Sequence, residues 1–289
     1  MIQSVLAALF YVLQNLSNKV FSEKFKSGLY PLAVLNALAL TIGTALLFLF
    51  NRPAMLPAAG MGFAFLFGVL FVLTISMLVL TMSRGPLGLS SLIVDMNVII
   101  TVLFGAVVWR ERISLVQGLG LVILLGVIVA LAIPDQKEAA RKHRLWLITA
   151  LSTLLLNGIL NIEQTAAFKV CPDLSSADFT FWSMAIGAGI CIVLAIVLKV
   201  FTRARFDPEE PLRKLPLLAA GLGVGTAVAY YFHNEALVLL PSLIVFPVVI
   251  GLNNGLLMLF SVIFFKEKLS LRKGLAFAAG LVGILLTNL

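Results

Sequence analysis

The stretch SLIVDMNVIITVLFGAVVW, residues 91–109, sets one carboxylate and one amide, Asp95 and Asn97, inside a run of Val, Ile, Leu, Phe and Met. A carboxylate in such surroundings has three uses: it can take a proton, face an amine or quaternary ammonium, or bond a neighbouring helix as a neutral acid. Amides and hydroxyls recur at helical spacing elsewhere. At 100° per residue, Ser4, Tyr11, Gln14, Asn15, Asn18 and Ser22 share an arc of about 100°. Thr153, Asn157, Asn161 and Gln164 share roughly 80°, and Thr226, Tyr230, His233 and Asn234 about 100°. Asn253 and Asn254 add an adjacent amide pair. An unpaired amide in hydrocarbon costs several kcal/mol, so each stripe must face protein or a water-filled cavity. A single Asn or Gln can simply bond a neighbouring helix; three complete stripes favour a cavity. The candidate solute-binding residues are therefore Tyr11, Gln14, Asn15, Asn18, Asp95, Asn97, Asn157, Asn161, Tyr230, His233, Asn234, Asn253 and Asn254. Asp95 is the first candidate for coupling transport to a proton. Glu163, on a different face from the stripe around it, is the second.

The elements that position these residues follow from composition. Of 289 residues 61% are hydrophobic and 12% charged, and the mean hydropathy is +1.09. Soluble domains carry about twice that charge fraction. Apolar runs of about 20 residues, enough to cross ~30 Å of hydrocarbon, recur along the chain. They predict an all-α polytopic membrane protein with ten spans, at 2–22, 30–50, 60–82, 86–109, 113–133, 145–168, 176–201, 213–239, 241–265 and 269–288. Too little alternation exists for a lipid-facing barrel. The first span, without a basic leader or small-residue cleavage site, reads as a retained helix rather than a signal peptide. Pro247, beside Asn253 and Asn254, marks the ninth span as the expected discontinuous helix. Gly221/Gly225 and Gly251/Gly255 have the spacing of close helix packing. Lys19, Glu163 and Glu235 lie nearer the ends of their spans than Asp95 does, where long side chains reach the interface.

Other functions are disfavoured. Two histidines, no HExxH and no GxSxG argue against an enzyme. Cys171 and Cys191 are too few for a disulfide framework and have no metal-type spacing, and no motif calls for a cofactor or metal. The net charge of +8 is split among short loops, which excludes a nucleic-acid surface. Seventeen of the 21 Lys and Arg fall at the loops after the first, third, fifth, seventh and ninth spans. The positive-inside rule puts those loops in the cytoplasm and both termini outside the cell membrane.

The chain also repeats itself. WRERISLVQGLG (109–120) and FFKEKLSLRKGLA (264–276) align at an offset of 156, which pairs Glu111 with Glu267, Ser114 with Ser270, Gly118 with Gly274 and Asn97 with Asn253. Gln14 and Asn18 correspond to Asn157 and Asn161 at an offset of 143, and Pro86 sits one residue out of phase with Pro241. Five spans per copy is odd, so the second copy enters the membrane upside down. Two inverted five-helix repeats follow, residues 1–134 and 145–289, joined by a linker at 135–144, with the site between them. The paired motifs, each at the end of an apolar span that begins GP or LP, resemble the EamA-type transporters of the drug/metabolite transporter superfamily. The resemblance implies a basket of helices around a central cavity, working by alternating access on a small-molecule substrate. The proline often found about thirteen residues before the motif Glu in that family is absent, Val98 and Asn254 standing there. A lipid-intermediate flippase or a multidrug or organic-cation exporter would share the fold. The flippase would need a basic pocket, and Lys19 is the one basic residue placed near a helix interior.

Overall fold

The computed structural model describes residues 1–25, 28–50, 52–110, 112–133, 140–207, 211–239 and 242–289, without the side chains of residues 140, 234, 237, 238, 242–244, 246 and 247. Glu111, Pro241, the Asn234 side chain and residues 135–139 of the linker thus lie outside the described residues. Helices α1 (Ile2–Lys24), α2 (Leu29–Phe50), α3 (Ala58–Arg84), α4 (Leu87–Asp95), α5 (Val98–Val108), α6 (Leu115–Ala132), α7 (Ala140–Val170), α8 (Ser176–Phe201), α9 (Leu215–Leu239), α10 (Ser242–Ile263) and α11 (Leu271–Thr287) make up nearly all of them. No strand occurs among the described residues. Hydrocarbon offers the backbone no partner, and helices satisfy it internally. Among the described residues, seven helical segments, one of them spanning α4 and α5, are long and apolar enough to cross a membrane on those measures alone. The protein is an all-helical polytopic membrane protein. α1 is diluted by its own polar stripe, and α11 has 17 residues.

Two hydrophobic clusters organise the packing. One joins α2, α3, α7, α8 and α9 around Leu35, Phe67, Phe71, Phe179 and Leu222. The other joins α4, α5, α6, α7 and α11 around Leu92, Met96, Leu124, Trp146 and Ile284. Trp146 satisfies its indole N–H on Ser90 Oγ at 2.9 Å, which fixes α7 against α4. Large side chains on the outer faces, among them Val122, Leu125 and Val129 of α6 and Val193, Ile196 and Val200 of α8, are exposed. Such faces suit contact with lipid tails.

The motif serines start helices. Ser114 and Gln117 form a reciprocal capping box at the head of α6, and Ser270 Oγ accepts from the Lys273 N–H at the head of α11. Before them, Arg110 and Lys266 both take left-handed backbone conformations, with φ of 57° and 52°.

The discontinuity falls elsewhere than the proline suggested. α10 runs unbroken through Pro247, whereas the fourth span is interrupted at Met96–Asn97, with neither proline nor glycine there. Asn97 Nδ2 donates to the Val94 carbonyl at 2.9 Å, the acceptor that the Val98 N–H would use in a continuous helix. Side-chain bonds of this kind compete with the helical ladder. The turn tightens, with Asn97 N–H to Val94 O at 3.1 Å and Ile99 N–H to Met96 O at 3.0 Å. The Asp95 carbonyl and the Val98 N–H stay outside the ladder. Pro247 lies early in α10, where one missing N–H disturbs a single turn.

The glycine pairs part company. A Cβ on Gly221 or Gly225 would meet Ser17 Oγ at 2.5 Å or the Gln14 backbone nitrogen at 2.8 Å, so this pair does bring α9 onto α1. Around Gly251 and Gly255 nothing among the described residues lies within 4 Å, so the expected packing role is not seen there. Gly223 is the tightest point between α9 and α2, where an added Cβ would sit 2.2 Å from the Ala39 carbonyl oxygen. Gly223→Ala should cost about 1–3 kcal/mol and lower the unfolding temperature in detergent, because a backbone atom cannot yield without shifting α2. Gly189→Ala, facing open space, should be neutral or slightly stabilising.

Candidate functional site

A cavity of about 650 Å³ lies between the two clusters. The interrupted span supplies its middle wall with Asp95 and Asn97. α1 adds Tyr11, Gln14 and Asn15, and α7 adds Asn157, Asn161 and Gln164. Tyr230 and His233 come from α9, and Asn253 from α10. Ten of the thirteen candidate binding residues thus share one surface. Asn18 and Asn254 are fully buried and do not line it, and the Asn234 side chain is outside the described residues.

The polar groups are held by one another. Asn254 Nδ2 donates to Asp95 Oδ2 at 2.6 Å and to the Ile250 carbonyl at 3.2 Å. Asn161 Nδ2 donates to Asn97 Oδ1 at 2.7 Å, which leaves the other end of that amide for Val94. The Tyr11 ring stands edge-on to Tyr230 at 5.7 Å and to His233 at 6.1 Å. Phe71 of α3 meets Tyr230 at 6.1 Å. The result is a pocket with amide and phenol groups, aromatic walls and, among the described residues, a single carboxylate in its lining. It can hydrogen-bond a small polar solute or face a cation. Glu163 lies off this surface: it is 7% exposed, and neither carboxylate oxygen has a hydrogen-bond partner among the described residues.

The two ends of the cavity differ. Its lining runs out to Trp109, Lys169 and Asn288, at the C-terminal ends of α5, α7 and α11. There Lys169 Nζ sits 3.5 Å from the centroid of the Trp109 ring. At the opposite end Lys19 does not reach out to the interface, as its position near the end of the span had suggested. It is buried and pairs with Glu267 Oε1 at 2.9 Å. The ammonium also donates to the carbonyls of Met82 at 3.1 Å and Gly85 at 3.2 Å. Glu267 Oε2 accepts from the Leu87 N–H at 2.8 Å and from Ser261 Oγ. One buried ion pair therefore ties together α1, α3, α4 and the segment after α10. Sequence reasoning missed this pair, along with Phe71, Trp109 and Lys169. The repetition of Glu267 in the second motif was the available signal.

The sequence profile of the EamA-like transporter family matches residues 144–289, just over half of the chain. The chain belongs to this family. The EamA-like transporter also resembles solved structures, with 24 chains matching. One of them is a crystal structure with 15% sequence identity and a TM-score of 0.59, over 97% of this chain and 96% of its own. At that identity the likeness concerns the fold alone. No curated protein matches the chain.

Removing one partner of a buried pair leaves the other charge uncompensated, at about 3–5 kcal/mol. Lys19→Met should therefore sharply lower the unfolding temperature in detergent. Lys19→Met combined with Glu267→Gln should recover much of the loss. A loss in the double variant equal to the sum of the losses in Lys19→Met and Glu267→Gln alone would mean that the two charges act independently.

Proposed function

We propose that this EamA-like transporter is a secondary active transporter that moves a small polar or cationic metabolite across the cell membrane by alternating access. The observation that carries the reading is the polar cavity, lined by Asp95 and Asn97 at the α4–α5 interruption and by amides of α1, α7 and α10, with the buried Lys19–Glu267 pair at the other end of that span.

Two inverted five-helix repeats, residues 1–134 and 145–289, account for the packing pattern. With α4 and α5 counted as one span, exchanging the two copies turns the α1–α9 contact into α7–α3, α1–α10 into α7–α4, and α2–α9 into α8–α3. All of these pairs occur, and α2–α8, α6–α11 and α4–α10 map onto themselves. The paired serine caps and the paired left-handed residues Arg110 and Lys266 support the same reading. The pseudo-symmetry is broken where Asn97 interrupts its helix and Asn253 does not. With seventeen basic residues at the cytoplasmic loops, both termini lie outside, and the mouth at Trp109 and Lys169 faces outward. Asp95 couples transport to a proton or to the charge of the solute, with Glu163 the second candidate.

Solute binding should stabilise the folded protein by about 2.7 kcal/mol at a hundredfold excess over Kd. Thermal unfolding of the purified protein across amines, amino acids, sugars and nucleosides should reveal at least one such class. Asn161→Ala, which removes the brace on Asn97, should weaken the shift at least tenfold in concentration. A flat response across the panel, together with no flux of these solutes in proteoliposomes, would contradict the reading.

A further inference from the structure

Asp95 stands at the C-terminal end of α4, the negative end of a helix dipole. Its own carbonyl is outside the helical ladder, because Ile99 donates to Met96 instead. Asn253 of α10 lines the same cavity as Asp95. Asn253 is 6% exposed, and its Oδ1 has no hydrogen-bond partner among the described residues. Tyr11 and Tyr230, ring against ring, line the same cavity. Basic side chains are engaged elsewhere: Lys19 with Glu267 at the start of the interrupted span, and Lys169 against Trp109 at its end. His233 lies against Tyr11. A carboxylate and a freed main-chain carbonyl thus stand at one helix break, a buried amide oxygen belongs to the same cavity wall, and no ion pair engages the carboxylate among the described residues.

A proton would satisfy one of these acceptors and leave the others unpaired. A compact cation with several directions of coordination would use them together, as main-chain carbonyls at interrupted helices do. We propose that the break at Asp95–Asn97 is a binding site for a compact monovalent cation, either an alkali-metal ion or the primary ammonium group of a solute. The site rests on the transporter reading for its role in the cycle, but its occupancy can be measured without transport.

The test is thermal unfolding of the purified full chain in buffer free of alkali ions, at constant ionic strength held with choline. Sodium, lithium, potassium, methylammonium and tetramethylammonium chlorides are titrated separately. A saturable rise in unfolding temperature with one of the compact cations, absent with tetramethylammonium, is expected. Half-saturation should move at least tenfold higher in Asp95→Asn and several-fold higher in Asn253→Ala, which keeps the carboxylate and serves if Asp95→Asn does not fold. An alkali ion acting alone identifies a co-transported ion, and methylammonium acting alone identifies the amine end of a solute. No saturable effect, an equal effect of tetramethylammonium, or an effect unchanged in both variants overturns the site. Solute flux without any cation effect would overturn this site and leave the transporter reading standing; a cation effect without solute binding or flux would do the reverse.

Discussion

The hydrogen bond from Asn97 to the Val94 carbonyl is the contact on which the site depends. A helix in hydrocarbon keeps its backbone groups paired, so displacing the Val98 N–H is tolerable only beside protein or water. Asn161 holds Asn97 by its oxygen, which turns the amide's N–H group toward Val94. The tightened turn then leaves the Asp95 carbonyl outside the ladder and sets the carboxylate at the end of α4, where Asn254 braces it. Three amides and one carboxylate thus determine one another's orientation. The cavity is the solvent-accessible space that such an interruption requires.

Around the Lys19–Glu267 pair the backbone and the charges agree in sign. Lys19 meets carbonyls at the C-terminal end of α3, and Glu267 meets the first N–H of α4. Each charge therefore faces the helix terminus of opposite polarity. Desolvating both ions is expensive, and the extra hydrogen bonds offset part of that cost. Moving these helices apart would mean separating the pair, along with its three main-chain hydrogen bonds and the one from Ser261 Oγ.

Much of the fold was legible because bilayer thickness imposes a length on every apolar run, and lipid penalises every unpaired polar group. Those two rules placed the helices and brought the stripes of α1, α7 and α9 onto one cavity. They also singled out Asp95. Local reasoning failed where geometry between helices decides. Pro247 looked like a helix breaker but lies early enough in α10 to cost a single bond, while the break came from the side chain of Asn97. Gly251 and Gly255 have the same spacing as Gly221 and Gly225, yet among the described residues only the latter pair packs against a neighbouring helix. Lys19 seemed free to reach the interface, and its partner lies some 250 residues away in the chain. Nothing in either local sequence announces that contact; only the repeated motif hinted that Glu267 had a use.

The account's central claim is that one cavity at the α4–α5 interruption is reached from the two sides of the membrane in turn. The most direct measurement places a single cysteine at Asn157 in a chain with Cys171 and Cys191 replaced, reconstituted in one orientation in vesicles. A membrane-impermeant thiol reagent is then applied from outside or from within. The account predicts reaction from both sides, with separation of Lys19 and Glu267 by Lys19→Met and Glu267→Gln raising the rate from the cytoplasmic side and lowering it from the other. Reaction from one side only, at a rate unchanged by the paired substitution, would contradict it.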